Sequence, residues 1–188
     1  MTIWNILAND DYNNAFLIDE NGKQRYENGY DLMNIQIEPF VRELKIEIRK
    51  NGFSDIMNYW GFGGTVIVSS KVKKLIETHF ADISIQFLPC HCKQFPSAEL
   101  WILNVLDYHD VLDISKCDYK YSHNITGEEV IRSIKKYSFI EKAFEYDMFK
   151  VCLPNRKLVT SLFVSDRFKA IMKENGVTGL NLKPVYSI

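Results

Sequence analysis

The sequence predicts an α+β (mixed α/β) fold: a single domain, residues 1–188, with a mixed sheet and two strand–helix–strand pseudo-repeats at about residues 64–89 and 161–184. Three observations carry that prediction. Val-Ser stands at a strand-to-helix joint twice, as Val68-Ser69 and Val164-Ser165, each time with a lysine four residues on, Lys73 and Lys169. Each joint opens a stretch of apolar residues at helical spacing, followed by a second apolar strand. Between the copies lies the most apolar segment of the chain, residues 100–106, and no linker or low-complexity tract divides the sequence.

In chain order, residues 3–8 and 15–18 read as short strands around the polar turn 9–14, and Asn21-Gly22 is a turn dipeptide. Residues 1–40 thus supply strands and turns whose place in the fold is not set by their sequence. The alternation Leu44-Lys-Ile-Glu-Ile48 reads as a half-buried strand ending at the turn Asn51-Gly52. Residues 55–60 read as a helical turn before the glycines Gly61, Gly63 and Gly64.

Inside each repeat the serine is a good helix N-cap, because its hydroxyl accepts from free N–H groups of the first turn. Val72, Leu75, Ile76 and Phe80 in one copy, and Phe168, Ile171 and Met172 in the other, form single apolar stripes. Asn175-Gly176 closes the second helix, since glycine tolerates the left-handed conformation there. Units of this length favour a right-handed crossover between parallel strands. The run 100–106 is apolar on both faces, which places it at a sheet centre. Thr126 and Glu129 form a capping box ahead of Val130, Ile131 and Ile134, predicting a short helix. Residues 139–146 and 148–153 read as a strand pair.

A chain of 188 residues buries a core without staples. The net charge of −1 creates no field that argues for nucleic acid or an anionic membrane. Residues 1–60 hold ten acidic and six basic side chains against fourteen and seventeen in 61–188, a lean we read as a solvated surface. No run approaches the ~20 apolar residues of a membrane span. The first residues lack the basic stretch of a signal peptide. Cys90, Cys92, Cys117 and Cys152 are too few and too uneven for a disulfide framework. The expectation is a cytoplasmic protein with reduced thiols.

Motifs with chemical meaning are weak. Ser70-Lys-Val-Lys73 has the Ser-x-x-Lys spacing of acyl enzymes, but Ser-Asp-Asn and Lys-Thr-Gly are absent and helix capping explains the serine. Gly61-Phe-Gly-Gly64 precedes its strand and lacks Gly-Lys-Ser/Thr, so it is a bend or bulge and no phosphate cradle. Cys90-His91-Cys92 offers soft ligands with no second pair at finger spacing; buried thiols beside a loop are the default. Asp107, His109, Asp110 and Asp113 follow the central strand, where α/β sheets often bind ligands. The bland reading is a solvated strand-end turn. The alternative is a small metal-dependent hydrolase using Asp107, His109 and Asp110. A regulatory module that binds a small ligand between the repeats is a third reading.

The segments Gly63-Gly-Thr-Val-Ile-Val-Ser-Ser-Lys-Val-Lys-Lys-Leu, Leu100-Trp-Ile-Leu-Asn-Val-Leu-Asp, Asp110-Val-Leu-Asp113, Leu162-Phe-Val-Ser-Asp-Arg-Phe-Lys and Gly176-Val-Thr-Gly-Leu-Asn-Leu-Lys-Pro-Val come in that order. Together they resemble immunity-protein family 11 of bacterial polymorphic toxin systems. The resemblance covers about residues 40–186 and divides the chain into residues 1–40 and a family-like region, 41–188. It implies a non-enzymatic, cofactor-free role in which the protein binds a cognate toxin domain and protects the producing cell. Nucleic acid and membrane are not expected partners. Binding proteins use aromatic anchors within a polar rim. Tyr12, Tyr59, Trp60, Tyr119 and Tyr121 are the candidate anchors, with Asp107, His109, Asp110 and Asp113 as acidic contacts.

Overall fold

A computed structural model describes residues 1–6, 14–17, 44–49, 52–59, 65–123, 127–153 and 161–188. The Asn21-Gly22 turn, the glycine cluster 61–64, Tyr12, Trp60 and Thr126 lie outside these residues, as does nearly all of the turn 9–14. Among the described residues the fold consists of mixed sheets with two α-helices. No helix among the described residues is long and apolar enough to cross a membrane.

Six strands close into a barrel: β2 (Asn14–Leu17), β3 (Leu44–Arg49), β4 (Ile56–Tyr59), β5 (Val66–Ser69), β6 (Ile85–Cys92) and β7 (Leu100–Val105). The order around it is β2-β3-β6-β7-β5-β4, with β3–β6 and β2–β4 parallel and the other pairs antiparallel. Alternation along each strand sorts the side chains. Leu44, Ile46, Ile48, Met57, Ile67, Leu88, Leu100 and Ile102 fill the interior. Val66, Val68, Leu103 and Val105 point the other way, into a core covered by α1 (Ser70–His79) through Val72 and Ile76. The central run is therefore apolar on both faces because both are buried, one inside the barrel and one beneath the helix.

The second sheet has the order β13-β1-β12-β11-β8, built from β1 (Thr2–Ile6), β8 (Tyr108–His109), β11 (Met148–Val151), β12 (Phe163–Val164) and β13 (Leu182–Ser187). Its neighbours are antiparallel except β11 and β8. Ile6, Met148 and Val164 join the core shared with the barrel, together with Phe168 and Met172 from α2 (Asp166–Glu174). On its other face Ile3, Phe149, Val151 and Phe163 pack against Val111, Leu112, Phe139 and Ala143. The rings there interlock, with Phe139 and Phe163 at 5.3 Å and Phe149 and Phe163 at 5.6 Å between centroids.

The two strands of each strand–helix–strand unit are parallel but not adjacent. An antiparallel strand lies between them: β7 between β5 and β6, and β1 between β12 and β13. Trp101 stands between Val68 and Pro89 in the first, and Trp4 between Val164 and Pro184 in the second. A helix of nine or ten residues spans about 15 Å, enough to cross the ~10 Å of two strand spacings.

Three local expectations are corrected. Residues 56–59 form strand β4, not a helical turn, because all four are buried and hydrogen-bond β5 on one side and β2 on the other. The helix expected after Thr126 is β10 (Glu129–Lys136), paired with β9 (Asp118–His123) in an antiparallel ribbon. The first of two bulges in β10, at Arg132, sets Ile131 and Ile134 on one face three residues apart, a spacing that imitates a helical stripe. Residues 139–146 do not pair with 148–153. Phe139 makes one bridge to Leu112, then Glu141–Glu145 wind into a 3₁₀ turn, while β11 pairs with β12 and β8.

Candidate partner-binding site

Each helix joint is a network. Ser69 Oγ accepts from the Val72 N–H and donates to Asp55 at 2.8 Å. Ser165 Oγ likewise accepts from Phe168 and donates to Asp147. Asp55 and Asp147 immediately precede β4 and β11, and their carbonyls accept from the serine N–H groups. Two residues beyond each cap, Lys71 lies 3.7 Å from Asp55 and Arg167 pairs with Asp147. The helix ends are then cross-linked: Lys71 donates to the Gly176 carbonyl and Arg167 to that of His79. Burial works to raise the Asp55 carboxyl; hydrogen bonds from Thr178 and Ser69, with Lys71 nearby, outweigh it and hold it below the ordinary value. Ser69 and not Ser70 is the cap, and Lys73 is committed to Glu77 at 2.6 Å beneath the rings of Phe87 and Trp101. These groups hold the scaffold together. An open groove of about 320 Å³ beside this joint is lined by Phe53, Asp55, Lys71 and Glu99, with the Asp55 carboxylate already occupied by its own partners.

Cys90, His91 and Cys92 end strand β6, next to the loop that leads to β7, and both thiols are buried as expected. Strand alternation sends both thiols into the barrel and the imidazole to the opposite face. Burial, followed by the neighbouring Cys92, pushes the Cys90 thiol up to about 12. Asp107 and His109 do meet, Oδ2 to Nε2 at 3.1 Å, without hydrogen-bond alignment, and the imidazole stacks on Tyr146 at 3.6 Å. Asp110 is exposed, and Asp113 is tied locally to Lys116 and Ser115 at 2.7 and 2.6 Å. Among the described residues no three His, Cys, Asp or Glu side chains converge as a metal site.

Of the aromatic candidates, Tyr59 is 5 % exposed inside the barrel, too buried to anchor a toxin domain. It shares the phase of Met57 in β4 and therefore points inward. Tyr119 and Tyr121, in contrast, are 37 % and 57 % exposed on β9. Ile134 stands opposite Tyr119 and Ile131 opposite Tyr121, so all four side chains share one face of the ribbon. The isoleucines pack against the aromatic core of the second sheet, and the tyrosines continue that surface outward. His123 meets Tyr121 edge-on at 6.1 Å, and exposed Lys120, Glu128, Glu129, Arg132, Lys135 and Lys136 surround the strip. An apolar strip within a charged rim can seat a protein surface.

The isoleucines, the bulges and Lys150 were not anticipated. The alternation of aromatic and polar residues in Asp118-Tyr-Lys-Tyr-Ser-His123 was the available signal for a strand with an aromatic face. Lys150 is buried behind β8, where its Nζ lies 3.4 Å from the Tyr108 hydroxyl. Burial draws it down to about 8 and pushes Tyr108 up to about 12.

A comparison with curated proteins returns no match. The model of the Immunity protein family (Imm11) matches residues 26–187, reaching fourteen residues further toward the N-terminus than residue 40 and spanning both helix joints, the barrel strands from β3 onward and the tyrosine ribbon. The chain therefore belongs to the Imm11 immunity protein family.

Proposed function

We propose that this protein is a cytoplasmic immunity protein of a bacterial polymorphic toxin system, which binds one cognate toxin domain and blocks it by occupancy. Its family is one of immunity proteins, generally non-enzymatic, which points to a toxin partner in general terms. The observation that carries the reading to a surface is the ribbon face: Tyr119 and Tyr121 remain exposed beside Ile131 and Ile134, which pack on the core. Large aromatics held on a firm base lose little entropy on binding. The matching joints Asp55–Ser69 and Asp147–Ser165 support reading the two strand–helix–strand units as copies of one module within a single domain.

Growth rescue tests the function. The chain is co-expressed with the toxin domain encoded beside its gene, and with an unrelated toxin as control. Rescue from the neighbour alone, with co-purification, is expected. A toxin that stays active in a purified stoichiometric complex sinks the reading.

A further inference from the structure

The ribbon has two unlike edges. In β10, Arg132 and Lys135 are extra residues, because Ile131 and Ser133 face Tyr121 and Lys120, and Ile134 and Lys136 face Tyr119 and Asp118. Each bulge breaks the spacing of backbone groups along the strand and increases its twist, which makes that edge a poor template for pairing. β9 contains no extra residue. Its first four residues, 118–121, are all exposed, whereas β10 is the strand anchored on the body through Ile131 and Ile134. Among the described residues β9 pairs with β10 alone. Alternate N–H and C=O groups of such a strand point away from its partner, toward whatever lies alongside.

The side chains narrow the occupant. Tyr119 and Tyr121 lie on one face of β9 and the opposite charges Asp118 and Lys120 on the other. A second copy of β9 fits badly in the registers that pair most of its length. Full-length antiparallel self-pairing, Asp118 against His123, sets Tyr119 beside Ser122; shifting one residue to match the tyrosines sets Lys120 against Lys120. A different strand meets no such conflict when it carries apolar residues for the tyrosine face and a cation and an anion across from Asp118 and Lys120.

We propose that the outer edge of β9 takes up an extended segment of the toxin domain as a third strand of the ribbon. The segment's apolar side chains lie on Tyr119 and Tyr121, and its charges complement Asp118 and Lys120. This rests on the toxin-binding reading above and gives it a binding mode, main-chain pairing along one open edge.

Amide hydrogen exchange, on the full chain alone and with the neighbouring toxin domain, tests it. Alternate amides within 118–123 are expected to exchange at least tenfold more slowly in the complex. The double variant Asp118→Lys, Lys120→Asp is expected to bind at least tenfold more weakly with unchanged melting. A complex whose new protection lies elsewhere, with β9 unaltered, overturns the strand addition and leaves the toxin reading standing. Protection of β9 that grows with protein concentration in the absence of toxin assigns the edge to a second copy and also overturns it. Absence of both complex and growth rescue removes the toxin reading, and this one with it.

Discussion

Ser165 serves its helix and Asp147 at once: one hydroxyl oxygen accepts from the Phe168 N–H and gives its proton to the carboxylate that precedes β11. Ser69 does the same with Val72 and Asp55. The caps therefore do more than end a helix. Each fastens a helix start to the start of an adjacent strand, β4 or β11, and through Lys71 and Arg167 to the far end of the other helix.

Replacing either serine removes a cap and leaves an aspartate short of a donor. Ser69→Ala and Ser165→Ala are each expected to cost about 1–2 kcal/mol of stability by urea denaturation. The double variant is expected to exceed the sum, since the two networks share the same helix pair.

Asp55 is held below the ordinary carboxylate value, so its contribution is present above about pH 4, where the unfolded group is ionised, and disappears as pH falls through the lower folded value. Asp55→Asn is expected to flatten the acid limb of the stability profile below about pH 4. Asp166, lowered by Trp4 and Thr2 against the effect of burial, keeps part of that limb in the variant. An unchanged acid limb refutes the assignment.

The alkaline side reads Lys150. It titrates at about 8 in the folded protein and at about 10.4 unfolded, so between these values the unfolded chain holds the extra proton and stability rises with pH. Lys150 alone contributes a gain of about 1 kcal/mol from pH 8 to 9. From about pH 8.5 upward the Cys90 thiol, raised to about 12, opposes it, because the unfolded cysteine loses its proton first. Lys150→Met is expected to abolish the rise between 8 and 9 in equilibrium denaturation.

Two glycines separate conformation from space. Gly176 has φ +59° with open surroundings, so Gly176→Ala is expected to cost about 1 kcal/mol. Gly179 has φ +79° and an added Cβ would stand 2.1 Å from the Ile56 carbonyl. Gly179→Ala is expected to cost about 3 kcal/mol or more, read as a fall in melting temperature several times larger.

Tyr119→Ala and Tyr121→Ala are expected to leave stability within about 0.5 kcal/mol, since both rings are exposed. Toxin affinity is expected to fall by about 2 kcal/mol for the more central ring, measured by calorimetry. Equal affinity in the double variant removes the ribbon face from the interface.

Both helices were legible because caps and stripes are local: Ser69, Ser165, Val72 and Phe168 lie within one turn of the features they define. The burial of residues 100–105 was legible for the same reason. Barrel closure was not, because it depends on the parallel pairings of β3 with β6 and β2 with β4, between segments far apart in sequence. Ile131 and Ile134 misled because the bulge at Arg132 turns a two-residue period into three. Tyr59 misled because residues 55–60 read as a helical turn, which leaves a strand phase unassigned; only the β4 register turns it inward.

Trp4 donates to Asp166, 162 residues away, and β1 pairs on both sides with strands from the last thirty residues. During synthesis β1 must therefore wait about 160 residues before it finds either neighbour. Such high contact order makes this sheet the late step of folding, while the barrel segment that holds β4 to β7 has its partners sooner. Until then Ile3 and Ile6 travel uncovered. On the function proposed above, protection would begin only when β12 and β13 have been synthesised and the sheet has closed.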